Sequence, residues 1–147
     1  MQNEILWQLI TAPLGALGFA MIFHLRRGLW AYAALGGFLC WGIYLLSGRF
    51  IAGIFLPSLL ASLFCGLYGE VLARLLKVPA TILFIPSMVP LMPGGSLFYA
   101  VSAAVSEDWQ EALFYGYRTM EYMLAIALGI GLVWAFFFMV RKLRNQE

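Results

Sequence analysis

The sequence predicts an all-α integral membrane protein with about five transmembrane helices, the fourth of which is broken by proline and glycine. Its 147 residues are 63% hydrophobic and only 11% charged, whereas soluble domains carry about 25% charged residues. Five apolar stretches follow one another with short connections, and each approaches or exceeds the ~20 residues that cross a bilayer. No linker or low-complexity tract divides them, so we expect residues 1–147 to form a single transmembrane domain.

The apolar stretches set the boundaries of the expected spans. The N-terminal sequence lacks the basic start and the small-residue cleavage site of a signal peptide, so we expect the first stretch to be retained as a span. The spans are expected at about Ile5–Phe23, Leu29–Leu46, Phe50–Leu67 with a helical continuation to Leu76, Thr81–Val105 and Met123–Val140.

Basic residues predict the orientation of the chain in the membrane. With five crossings, seven of the nine basic residues fall on one side, and only Arg49 and Arg118 fall on the other. The positive-inside rule then places the N-terminus outside and the basic C-terminus in the cytoplasm. This arrangement requires residues 81–105 to cross as a kinked helix, which we favour over a re-entrant loop. The net charge of +2 is too small and dispersed to indicate nucleic-acid binding.

Small residues in the third stretch indicate close helix packing. They recur every four residues, and such a ridge lets another backbone approach, as small-xxx-small motifs do in membranes. The ridge could pack within the protomer or form an interface between subunits, and the sequence leaves both alternatives open. Its members are Gly53, Pro57, Ala61, Cys65, Gly69 and Ala73.

The fourth stretch contains the main functional signal. Pro86, Pro90 and Pro93 each remove a backbone donor and clash with the preceding turn, so a continuous helix is not expected. Broken backbone at membrane depth survives where it is buried in protein or lines a wet cavity. In transporters, interrupted segments of this kind commonly form the substrate site. The alternative is a proline kink that only shapes the bundle.

We expect the break to bind a small amino or carboxylic acid. The glycine pair permits backbone conformations that other residues resist, and Ser96 is expected to cap a new helix. Free N–H groups at such an N-terminus suit a carboxylate, and two hydroxyl-bearing residues follow at spacings of three. The predicted substrate-binding residues are therefore Pro93, Gly94, Gly95, Ser96, Tyr99 and Ser102.

Two pairs of ionisable residues are candidates for gating or coupling. Glu70 and Arg74 can pair at i,i+4 on one helix face, and Arg118 and Glu121 lie at i,i+3 near the last span. Ionisable groups near the hydrocarbon often mark pathways or proton relays, and anchoring at the interface is the alternative. An enzyme is not expected, because the sequence contains one histidine and no paired acidic motif in a helix interior. No cofactor or metal site is expected either.

Three segments resemble the threonine/serine exporter family: APLGALGFAMIFH, EVLARLLKVPA and IPSMVPLMPGGSLFYAVSAAV. The most specific part is Pro93-Gly94-Gly95 with its upstream prolines. The resemblance is to the small membrane subunit, which corresponds to the C-terminal half of the full-length exporters. It implies export of threonine, serine or a small dicarboxylate such as succinate across the cell membrane. It also implies a separate partner subunit resembling the N-terminal half, with a homo-oligomer as a further option. The alternative is a non-transporting scaffold or assembly subunit.

Overall fold

Helices account for nearly all of the described chain. The computed structural model describes residues 2–144. The sequence predicts on which side of the membrane each terminus lies, and the first residue and the last three residues are outside the described range. Four of its helices are long and apolar enough to cross a membrane, and a bent pair provides up to one more span. The predicted all-α membrane class is thereby confirmed. The six α-helices of the described range are α1 (Gln2–Ile22), α2 (Trp30–Phe50), α3 (Phe55–Leu76), α4 (Ala80–Met88), α5 (Gly94–Val105) and α6 (Trp109–Arg144).

Local sequence explains where the helices begin and end. α3 stops because Lys77 adopts a left-handed conformation with φ of 54°, and Pro79 two residues later cannot continue a helix. α6 starts at Trp109 because the Asp108 carboxylate accepts a hydrogen bond from the Glu111 N–H at 3.1 Å, as an N-cap residue does. This cap starts the helix well before the apolar stretch from which the last span was predicted.

α2 and α3 pack antiparallel in the centre of the bundle. The Tyr68 hydroxyl donates to the Tyr32 carbonyl at 2.7 Å, and the Cys40 thiol donates to the Ala61 carbonyl at 3.4 Å. α1 packs beside α2, and α4 packs against both α2 and α3. The buried core of the molecule lies where these helices meet.

The small-residue ridge of α3 lies inside the protomer. Ala61 and Cys65 are 0% and 1% exposed, and Gly69 faces α4 so closely that an added Cβ would lie 3.0 Å from Phe84 Cβ. Gly53 precedes α3 and does not belong to the ridge. The interpretation of this ridge as a subunit interface is therefore wrong, because its surface is already occupied by neighbouring helices. Packing within the protomer is confirmed.

α6 runs parallel to α3, and this direction constrains the path of α4 and α5. Near the start of α3, the Ser62 hydroxyl lies 3.3 Å from the Ala125 carbonyl. Towards its end, the Arg74 guanidinium lies 4.2 Å from the centre of the Phe137 ring. Because α4 starts where α3 ends, α4 and α5 together must carry the chain back along the bundle before α6 begins. Their axes differ by 54°, and this path agrees with a kinked crossing.

α5 and the first part of α6, residues 94–118, pack mainly on each other at one end of the bundle, and we call this segment the arm. The rings of Tyr99 and Tyr115 lie 5.3 Å apart, whereas Tyr122, two turns further along α6, already meets Tyr44 near the end of α2. α6 contains 36 residues, which corresponds to roughly 54 Å against a ~30 Å hydrocarbon core. Many large apolar side chains of the arm are exposed, among them Phe98, Val105, Trp109, Leu113, Phe114 and Tyr117.

Candidate functional site

The break between α4 and α5 consists of a 3-10 turn, Val89–Leu91, followed by two residues outside the helical conformation. Met92 is extended, with φ of −62° and ψ of 128°, and Pro93 has φ of −78° and ψ of 46°. Gly94 and Gly95 both lack positive φ, and a Cβ added to either would meet nothing within 4 Å. The prediction that these glycines supply an unusual backbone conformation is therefore wrong. Met92 and Pro93 produce the bend.

α5 begins at Gly94 and has no side-chain cap. The expectation that Ser96 caps this helix is wrong, because Pro93 occupies the cap position. The Leu97 N–H already bonds the Pro93 carbonyl at 3.0 Å. The first-turn N–H groups of Gly95 and Ser96, by contrast, have no carbonyl one turn earlier in the helix. These two amides are the donors that an anion could use at this end of α5.

The hydroxyl groups predicted to line the site lie along the arm. Ser96 is partly buried, whereas Ser102 is exposed. Tyr99 is 55% exposed, and its ring packs on Tyr115 of α6. In the part of the chain that the structure describes, Tyr99 and Ser102 lie open rather than in an enclosed pocket. A closed site built on them would need a wall from a second chain.

Glu70 and Arg74 form the expected ion pair. Their charged groups lie 3.6 Å apart, and the two side chains are 16% and 50% exposed, respectively. Arg74 also covers the ring of Phe137 on α6, a cation–π contact that holds the arginine at the α3–α6 junction. The pair lies near the end of α3, at the end of the bundle opposite the arm.

Arg118 and Glu121 do not pair in the described part of the chain. Arg118 is exposed and lies 5.2 Å from the centre of the Phe114 ring, while Glu121 is partly buried. Both residues lie near the base of the arm. The structure therefore places the two candidate coupling pairs towards opposite ends of the bundle, Glu70 and Arg74 near the end of α3 and Arg118 and Glu121 near the base of the arm.

A cavity that the sequence did not predict borders the break on the side of α1 and α2. Its volume is about 190 Å³, and we call it the elbow cavity. Trp41 lines it, and the Trp41 indole Nε1–H is buried without a hydrogen-bond partner. Gln8 and Thr11, two polar residues in an apolar stretch, were the available sequence signal. The lining residues are Gln8, Thr11, Ala12, Gly15, Trp41 and Pro90.

A larger cavity of about 720 Å³ opens at the same end of the bundle as the arm. Arg49 supplies its only basic side chain among the lining residues. Gly53, with φ of +98°, forms the turn between α2 and α3 at its rim. The hydroxyl groups of Tyr44 and Tyr122 meet at 2.6 Å beside it. The remaining lining residues are Ile5, Leu45, Gly48 and Pro57.

The fold and the site define a multi-pass helical membrane protein in which an interrupted helix borders a cavity with a few polar side chains in its lining. The sequence profile of the family described as "Threonine/Serine exporter, ThrE" matches residues 8–136. The chain therefore belongs to the threonine/serine exporter family, and the resemblance seen in its motifs is confirmed. The matched range includes the break, the elbow cavity and both candidate coupling pairs. No solved structure matches the chain.

Proposed function

We propose that this chain is the small membrane subunit of an exporter for threonine, serine or a small carboxylic acid such as succinate. The observation that carries the proposal is the interruption of the α4–α5 segment between helices that are otherwise continuous and apolar. Interrupted helices in transporters present backbone groups to the substrate near the middle of the membrane. Membership of the exporter family supports a role in transport. It also supports small hydrophilic amino acids as the transported substrates.

We propose that the substrate carboxylate binds the amides of Gly95 and Ser96 at the start of α5. Those donors would otherwise be left unpaired once the site closes, and an unpaired buried donor costs about 1–3 kcal/mol. The positive end of the α5 dipole favours an anion at the same point. Pro93 and Gly94 shape the approach to these amides, and Tyr99 and Ser102 would supply hydroxyl groups further along the arm.

A partner subunit, resembling the N-terminal half of the full-length exporters, is proposed to cover the arm. α5 packs mainly on α6, so one side of this helix pair lacks a protein neighbour in the described protomer, and its large side chains are exposed there. The tip of the arm is acidic, so the partner surface that meets it is expected to be basic. The acidic residues are Glu107, Asp108 and Glu111.

Photo-crosslinking tests this interface with a matched control. A photoreactive residue at Leu113, which is 73% exposed on the arm, should crosslink to the partner in membranes that contain both chains. The same residue at Leu75, which is 71% exposed at the other end of the bundle, should crosslink mainly to lipid. Crosslinks from Leu113 to a second copy of this chain would instead indicate a homo-oligomer. Equal lipid labelling at both positions would contradict the proposed interface.

We propose a plasma-membrane orientation with the N-terminus outside and the C-terminus in the cytoplasm. This orientation puts the Glu70–Arg74 pair at the cytoplasmic end of α3 and Arg118 and Glu121 at the outer end of the last span. The concentration of basic residues at the proposed cytoplasmic end supports it. In this orientation the arm lies towards the outer end of the bundle.

Reconstitution with and without the partner subunit tests the proposed function. Vesicles loaded with labelled threonine, serine or succinate should release at least one of these solutes when both chains are present. Release by this chain alone would show that it contains a complete pathway. Normal release by the partner alone would make this chain a scaffold or assembly subunit, and absence of release from the assembled pair would overturn the transport proposal.

A further inference from the structure

We infer that the elbow cavity is a binding site for the uncharged, hydroxyl-bearing end of a small polar solute such as a hydroxy amino acid. This inference rests on the proposed function and adds a second contact region to the one proposed at the start of α5. It is carried by the position of the cavity, by an unsatisfied donor on one of its lining residues and by the chemistry of its lining.

The position of the cavity connects it to the break. Pro90, in the 3-10 turn, forms part of its wall. On the facing side, α1 and α2 approach so closely that a Cβ added to Gly37 would lie 2.6 Å from Ala16 Cβ and 3.5 Å from Pro90. The 3-10 turn is therefore wedged against the α1–α2 pair. A movement of the break would change the size of the cavity directly.

The donor in the wall is the indole N–H of Trp41. It is buried and has no hydrogen-bond partner, although its ring is fixed by stacking on Tyr44 with centroids 4.9 Å apart. Buried polar groups in native proteins are nearly always hydrogen-bonded, and an exception is explained by strain, by function or by an absent ligand or water. Trp41 lines the elbow cavity, and its ring would have to move to present the buried N–H to a polar group there.

Polar side chains on α1 complete the lining. Gln8 and Thr11 lie one turn apart and both are exposed, although they belong to a helix apolar enough to span the membrane. The Thr11 hydroxyl donates to the Gln8 carbonyl at 3.2 Å, which leaves the hydroxyl oxygen free to accept. Uncharged polar groups in such a helix typically face a protein contact or a wet cavity rather than lipid.

The lining also selects the chemical class of the ligand. It offers amide, hydroxyl and indole groups and contains no basic or acidic side chain. An uncharged polar group matches these partners, whereas a second carboxylate would enter without a countercharge, which is costly. The volume of about 190 Å³ corresponds to roughly six water molecules at ~30 Å³ each. A solute of threonine size therefore fits, and the site is smaller than the ~300–1,000 Å³ pockets that hold drug-sized ligands.

Substrate protection in the assembled transporter tests the inference through binding. Gly15 lines the cavity and Gly18 does not, while a Cβ at either position meets nothing within 4 Å, so Gly15→Cys and Gly18→Cys form a matched pair. The native thiols of Cys40 and Cys65 are buried, which keeps background labelling low. Threonine should slow labelling of Gly15→Cys at least about threefold and leave Gly18→Cys unchanged. Succinate at the same concentration should protect neither position.

Transport supplies the second readout. Gly15→Leu fills the cavity and should lower threonine efflux at least about tenfold, because the substrate loses this binding site. Gly18→Leu leaves the cavity open, so its threonine efflux should stay within about twofold of the wild type. Trp41→Phe keeps an aromatic ring but removes the indole N–H, and should raise the KM for threonine about three- to tenfold. Trp7→Phe is its control, because Trp7 is 67% exposed on α1.

The outcomes separate this inference from the proposed function. If the wild-type pair exports threonine but Gly15 and Gly18 variants behave alike in both assays, the elbow cavity is not a binding site and the exporter proposal stands. If succinate protects Gly15→Cys as well as threonine does, the assignment of an uncharged group is wrong. If the wild-type pair exports no tested solute, the proposed function itself fails.

Discussion

Adding one methyl group at Gly36 should displace the break, because α4 rests directly on this glycine. A Cβ built at Gly36 would overlap the Ser87 hydroxyl and would lie 2.7 Å from both Ser87 Cβ and Tyr68 Cε1. Ser87 is fully buried, and its hydroxyl already donates to the Leu83 carbonyl at 2.8 Å, so it has little room to move. Gly36→Ala must therefore push α4 away from α2.

The size of the effect follows from two opposing contributions. Overpacking of a tightly packed interior costs about 1–3 kcal/mol, and replacing glycine by alanine within a helix gains up to about 1 kcal/mol. Gly42, on the same helix, has nothing within 4 Å of an added Cβ, so Gly42→Ala shows only the helix-propensity gain. The difference between the two variants is therefore about 1–3 kcal/mol, or roughly 5- to 150-fold in the unfolding equilibrium constant.

Equilibrium unfolding of the purified chain in detergent, followed by helical circular dichroism, measures this difference. Gly36→Ala should be less stable than Gly42→Ala by the stated amount, and threonine efflux should fall in Gly36→Ala because Pro90, one turn beyond Ser87, moves with α4. Equal stability of the two variants would refute the close α2–α4 contact. A stability loss with unchanged efflux would show that the position of the break does not matter for transport.

Three further predictions concern orientation, coupling and packing. Cysteines at Lys77 and Ser106 should react with impermeant reagents from opposite faces of the membrane, with Ser106 accessible from outside; labelling from one face would contradict the kinked crossing. Glu70→Gln removes the ion partner of Arg74 and should reduce the dependence of efflux on the proton gradient at equal expression. If that dependence is unchanged, Glu70 serves as an interfacial anchor instead. Gly129→Ala should destabilise the α3–α6 contact by about 1–3 kcal/mol, because its Cβ would meet Ser62 and the Leu59 carbonyl. Gly131→Ala is the control and should not destabilise this contact, since its Cβ meets nothing within 4 Å. Similar melting temperatures of the two variants would refute this packing.

The sequence was sufficient for the features that depend on composition and local chemistry. Apolar stretches located the helices, and Pro90 and Pro93 located the interruption, because a missing donor and a fixed ring act wherever the chain folds. The expectation that Pro86 also interrupts the helix is wrong, because Pro86 lies inside α4. The i,i+4 spacing of Glu70 and Arg74 likewise predicted a contact within one helix.

Features that depend on which helix lies opposite could not be predicted in this way. The periodicity of the α3 ridge indicates a close contact but does not identify the neighbour, which is α2 or α4 of the same chain. The elbow cavity joins residues from α1, α2 and the 3-10 turn, and no spacing along the chain brings Thr11 near Trp41 and Pro90. Gly94 and Gly95 could adopt positive φ, but they do not do so in this fold. A glycine allows such a conformation without requiring it.

The central claim is that backbone amides exposed by the break hold the substrate carboxylate, and replacing Gly95 by proline tests it most directly. Proline in the first turn of a helix is tolerated, and Gly94 before it has no Cβ to clash. Gly95→Pro therefore deletes one amide donor while α5 can still form, and Gly95→Ala, with nothing within 4 Å of its Cβ, keeps the donor.

The measurement is the KM for threonine efflux from vesicles that contain this chain and its partner subunit at equal expression. Loss of a hydrogen bond to a charged group costs about 1.5–3 kcal/mol, so Gly95→Pro should raise the KM by at least about tenfold. Gly95→Ala should remain within about twofold of the wild type, since it retains the N–H. If Gly95→Pro transports threonine with the KM of Gly95→Ala, the amides at the break do not bind the substrate and the central claim is wrong.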